Sequence, residues 1–93
     1  MSESIDKKGN SVSTGQVAVT STATLIIASK KSRRSLVISN IGNVDCYLGP
    51  DNTVDSSSGF LLLAGDVLNL DRSYGALYGI TLSGSTTINY LEE

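Results

Sequence analysis

Five aspartates are the side chains best suited by type to acid–base or cation chemistry: Asp45, Asp51 and Asp55 bracket one long loop, and Asp66 and Asp71 flank one short apolar run. Two carboxylates held together can divide into a general acid and a general base, because each charge raises the proton affinity of the other. All five, however, sit at turn positions, where Asp is favoured because it bonds its own backbone. Asp51, Asn52 and Asp55 offer the oxygen ligands that calcium takes, but their spacing lacks the ligand ladder and terminal Glu of a calcium loop. The chain contains no His, so the commonest general base is missing and no Ser or Cys nucleophile can have an imidazole partner. Its single cysteine, Cys46, can form neither an internal disulfide nor, alone, a thiolate metal site. The expectation is a protein that is not an enzyme, with no catalytic residue, no metal and no cofactor.

One charge cluster stands out, Lys30-Lys31-Ser32-Arg33-Arg34. It reads either as a contact for an acidic protein surface or nucleic acid, or as a solvated turn whose charges discourage edge-to-edge aggregation. The second is favoured. Nucleic acid is not expected as a partner, because no aromatic side chains interleave with the cluster to stack on bases. A formal charge of −2 over the whole chain adds no pull toward nucleic acid or membrane. The apolar runs at 25–28 and 60–64 are too short to cross a bilayer.

These side chains must be positioned by short strands. From Val17 onward, β-branched and apolar runs of strand length alternate with Gly, Asn, Asp and Ser, and none continues long enough to nucleate a helix. Strands are expected over 17–20, 23–28, 35–39, 44–48, 60–63, 67–70, 76–82 and 87–91. Turns at 64–66 and 83–86 read as hairpins. In 44–48, Val44, Cys46 and Leu48 alternate with Asp45 and Tyr47, the two-residue period of a half-buried strand that places Cys46 inside. About eight short strands at this spacing predict an all-β fold, a small antiparallel β-sandwich of jelly-roll type over 17–93.

Residues 1–16 carry only Ile5 and Val12 as large apolar residues, and are expected to form an extended arm that orders against a partner. The domain that remains has neither disulfide nor histidine to staple it, and a core of this size contributes only about 3–5 kcal/mol. Several runs are also apolar on both faces: Ile26 opposite Leu25 and Ile27, Val37 opposite Leu36 and Ile38, Leu61 and Leu63 opposite Phe60 and Leu62. A sandwich needs one apolar face per sheet, so the second face points to coverage by a neighbouring chain. The candidate partner contacts are therefore Ile5, Val12, Ile26, Lys30, Lys31, Arg33 and Val37.

The order R-S-L-V-I-S-N-I-G at 34–42, V-D-C-Y-L-G at 44–49, G-F-L-L-L-A-G-D-V-L-N-L at 59–70, G-A-L-Y-G-I at 75–80 and T-I-N-Y-L-E-E at 87–93 resembles small β-sandwich modules of tailed bacteriophages, found as capsid decoration (cement) proteins and in head fibres. The resemblance implies a structural virion protein assembled in the host cytoplasm. It would sit on the outer surface of the head, bind the major capsid protein, stabilise contacts between its subunits and associate with itself as a homotrimer. It implies fold-determining roles for Arg34, Asn40, Gly49, Gly65 and Tyr78, and no active site. A head-fibre base, neck or tail component is the alternative. A small carbohydrate-binding module is a reading of another class, disfavoured by four Tyr, one Phe and no Trp, since sugars stack on exposed rings.

Overall fold

The computed structural model describes residues 12–72 and 74–93. Among these residues lie eight strands: β1 Ser13–Val19, β2 Thr24–Ile27, β3 Ser35–Asn40, β4 Cys46–Gly49, β5 Phe60–Leu62, β6 Val67–Asp71, β7 Leu77–Ile80 and β8 Thr86–Glu92. They form two four-stranded sheets, β1-β8-β3-β6 and β2-β7-β4-β5, with every pairing antiparallel. The fold is the expected all-β sandwich, and its strand order is that of a jelly roll.

Alternation builds the core. On β3, Leu36, Ile38 and Asn40 are buried while Ser35, Val37 and Ser39 face outward, the period of two that a pleated strand imposes. Val19, Ile26, Ile27, Leu36, Ile38, Cys46, Leu48, Leu62 and Ile88 pack together between the sheets. One polar side chain lies among them. Asn40 Nδ2 donates to the carbonyls of Val44 (2.9 Å) and Leu62 (3.2 Å). Its Oδ1 accepts from Thr86 Oγ1 (2.6 Å) and the Gly42 amide (3.2 Å). The exit of β3 is thereby clipped to both sheets.

Three expectations change. β1 begins at Ser13 and pairs with β8 from Ser13↔Glu92 to Val19↔Thr86, so residues 13–16 belong to the sandwich and not to an arm of residues 1–16. Residues 64–66 and 83–86 do not close hairpins. β5 and β7 lie in one sheet, β6 and β8 in the other, and both turns carry the chain across the sandwich. Gly65 (φ 89) and Gly84 (φ 75) supply the left-handed backbone there, a requirement that a hairpin and a sheet-to-sheet turn share. Thirdly, Ile26 is not an outward residue. The register of β2 shifts between Leu25 and Ile27, and the bulge turns both Ile26 and Ile27 into the core while Leu25 faces out. A bulge inserts one unpaired residue and so resets the alternation.

Cys46 is fully buried. Burial first, and then the neighbouring Asp45 charge, push its thiol up to about 11 from an ordinary 9.0. A thiolate is the reactive form, so the native protein should resist thiol reagents at neutral pH and label only on unfolding; rapid native labelling would contradict the β4 register. Because the folded pKa is raised, the stability contributed by the neutral thiol is present below pH 9 and lost as pH rises through about 11. Wild type should therefore lose stability relative to Cys46→Val across that window, as read by denaturant unfolding.

Candidate interaction surface

The outer face of the β2-β7-β4-β5 sheet carries two rows of large side chains. Tyr47 alternates with the buried Cys46 and Leu48, so it points away from the core. In register, Ile80 on β7 flanks it on one side and Leu61 on β5 on the other. In the adjoining row Leu25 on β2 lies against Tyr78 on β7, which in turn faces Gly49 on β4. Neither row contains a charge. Leu25 and Leu61 are each 44% exposed, and Tyr47, Tyr78 and Ile80 are half-buried.

The loop between β4 and β5 covers one corner of this face. Val54 is buried against Gly49, where a Cβ would stand 2.7 Å from the Val54 Cβ. Any side chain at Gly49 would push Val54 out. Aspartates build the loop itself. Asp51 Oδ1 accepts from the Thr53 amide (3.0 Å), and Asp55 Oδ1 accepts from the amides of Ser57 (3.0 Å) and Ser58 (2.9 Å). Both carboxyls are held below the usual carboxylate range, by side-chain bonds first, from Thr53 to Asp51 and from Ser57 and Ser58 to Asp55. Asp66 and Asp45 likewise accept from backbone, at the Leu63 and Ala64 amides. Asp51, Asp55 and Asp66 therefore stabilise their own turns by bonding nearby backbone, as turn-position aspartates do. Asp45 instead ties the β3–β4 loop to the turn after β5, 19 residues away. Among the described residues no group of three His, Cys, Asp or Glu could hold a metal ion. A separate apolar cleft of about 370 Å³ opens between the sheets beside β5 and β6, lined by Leu48, Phe60, Leu68, Leu70 and Leu77.

The sequence-derived contacts do not come together. Lys30 and Lys31 are exposed on the loop joining β2 to β3. Arg33 is 3% exposed and is no surface cation. Its Nε lies 2.9 Å from Glu92 Oε1, Nη1 donates to the Gly75 carbonyl (3.1 Å), and Nη2 donates to the Ala28 carbonyl (2.5 Å). Ile26 is in the core. Val37 is half-buried on the outer face of the other sheet, opposite Leu91 and Asn69. Val12 is exposed immediately before β1, and Ile5 lies outside the described residues. What sequence reading did not assemble is the Leu25–Tyr78 and Ile80–Tyr47–Leu61 rows. Tyr47 alternates visibly with Cys46, but only the strand order shows which side chains stand beside it.

No family model matches the sequence, and no curated protein does either. Among solved structures, the chain is similar in fold to a Salmonella typhimurium LT2 protein described as ethanolamine utilization protein Q. The TM-score is 0.57 at 12% identity, covering 90% of this chain. The chain spans only 58% of the length of that protein. A chain from the disulfide-linked pili of Bacillus endospore appendages is similar at a TM-score of 0.44 and 13% identity, covering 99% of this chain and 94% of that one. At 12% identity the likeness to the Salmonella protein is one of fold alone.

Proposed function

We propose that this chain is a structural binding protein that docks on other protein subunits through the outer face of its β2-β7-β4-β5 sheet. Following the sequence resemblance, the surface it covers is the outside of a tailed-phage head, with the major capsid protein as partner. The observation that supports docking is the charge-free pair of rows formed by Leu25, Tyr78, Ile80, Tyr47 and Leu61. A contiguous apolar patch left in water is unfavourable, and its burial against a second surface is the usual resolution. Tyrosines suit such a contact because they bury large area with few rotatable bonds and keep a polar tip.

The test is co-sedimentation of the purified chain with heads assembled from the major capsid protein encoded nearest to it. Saturable binding is expected, and the double variant Tyr47→Ser/Leu61→Asp should lose it by roughly a hundredfold, since two central anchors are each worth a kcal/mol or more. A wild-type protein that folds but never sediments with the heads would remove the capsid assignment. Binding untouched by the double variant would place the contact elsewhere on the sandwich.

A further inference from the structure

The two sheets have four edges, and three of them carry features that discourage pairing with another chain. β5 is only three residues long. β2 has four residues and is interrupted by its bulge. β6 ends in Asp71, with Asp66 just before it and Arg72 just after. Short length, bulges and charges are the devices by which edge strands avoid association. β1 has none of them. It is seven residues long, S-T-G-Q-V-A-V, without charge or proline, and its register against β8 is unbroken from end to end. It pairs with β8 on one side and is the last strand of its sheet on the other, so every second residue presents its N–H and C=O outward.

We infer that β1 is a self-association edge, pairing antiparallel with β1 of a second copy about a twofold axis at Gln16. A twofold sets the central residue against itself, and like charges directly opposite destabilise a strand pair. Self-pairing therefore requires a neutral centre, and this strand supplies a neutral amide that can donate to and accept from its own mate. In that register Thr14 lies opposite the partner's Ala18 and Gly15 opposite the partner's Val17. Gly15 has no side chain there because the Tyr90 ring occupies the space, a Cβ at Gly15 falling 2.5 Å from the Tyr90 hydroxyl. Tyr90 and Val17, both packed on the core, then continue the apolar layer across the junction. The result is one eight-stranded sheet made from two copies and a dimer, in place of the threefold association implied by the sequence resemblance.

Sedimentation velocity on the full chain over a wide concentration series tests this. Wild type is expected to run as a dimer. Gln16→Lys and Gln16→Glu should each dissociate, with affinity lowered tenfold or more, and mixing the two should restore the dimer because the axis then sets Lys against Glu. Asn69→Lys, on the β6 edge, and Leu61→Asp, on the other sheet's outer face, should leave the dimer unchanged. Circular dichroism confirms that each variant is folded. Three results would overturn the inference: a wild-type monomer at every concentration, a trimer, or either Gln16 variant alone retaining the wild-type mass.

Discussion

Replacing Arg33 with Ala should lower the unfolding free energy by about 3–5 kcal/mol, the cost of removing one partner from a buried ion pair. The side chain of Arg33 is fully shielded and that of Glu92 only 13% exposed, so the carboxylate left behind is poorly hydrated. Two carbonyls, of Ala28 and Gly75, lose their donors in the same substitution. The Arg33 side chain thus ties together the β2–β3 loop, the β6–β7 loop and the end of β8, beside backbone bonds from the Lys30 amide to the Tyr74 carbonyl (2.8 Å) and from the Arg34 amide to the Glu93 carbonyl (2.7 Å). Total stability for a domain of this kind is about 5–15 kcal/mol, so the variant should be marginal, its midpoint in urea shifted far to the left. Glu92→Gln keeps an acceptor for Nε and should cost less. A double-mutant cycle across Arg33 and Glu92 separates the pair's own coupling from the loss of the two carbonyl contacts. A loss under 1 kcal/mol for Arg33→Ala would mean that water reaches the guanidinium site.

Asn40 should prove comparably sensitive, for a different reason. Its amide is fully buried and makes four hydrogen bonds, donating two and accepting two. Asn40→Leu fills the volume and strands the Val44 and Leu62 carbonyls, the Gly42 amide and the Thr86 hydroxyl. At about 1–3 kcal/mol for each buried group left without a partner, and allowing for partial relaxation, a loss of about 3–5 kcal/mol is expected. Asn40→Asp is the sharper experiment, because it changes almost no volume. The introduced carboxylate still accepts from Gly42 and Thr86 but turns an anion toward two carbonyl oxygens. Its pKa should rise, since only the protonated form can donate. The variant should therefore be least stable near neutrality and regain part of the deficit as pH falls through that raised pKa. A pH-independent deficit would show that the carboxylate had rotated out to water.

The sequence displays strand alternation but not strand neighbours. Leu36 and Ile38 against Val37 and Ser39 give one face of β3 without any structure, and Cys46 and Leu48 do the same for β4, whereas the burial of the polar Asn40 carries no such signal. Ile26 misleads because its bulge leaves no composition signal: three apolar residues in a row fit either face. Gly65 and Gly84 mark turns correctly, yet left-handed backbone serves a hairpin and a crossing between sheets alike, so the partner of β6 could not be read from its turn. By sequence Arg33 groups with Lys30 and Lys31, because the three share one short charged stretch. What separates it is Glu92, 59 residues away, and a relation of that range is invisible to local spacing. The candidate docking face suffers in the same way, as its five residues come from four strands that only the topology sets side by side.

The position of β8 has a consequence for how the molecule is made. It lies between β1 and β3, so while residues 86–92 are still inside the ribosome β1 has no strand to join and its sheet is split in two. Glu92, which neutralises Arg33, emerges with the same strand. Most of the connections also cross from sheet to sheet, so nascent β-structure has few local pairings to fall back on, and long-range closure of this kind is slow. The half-made chain thus carries Leu36, Ile38 and the β1 edge exposed together until synthesis passes residue 92. That interval, more than the finished fold, is when such a chain is open to aggregation.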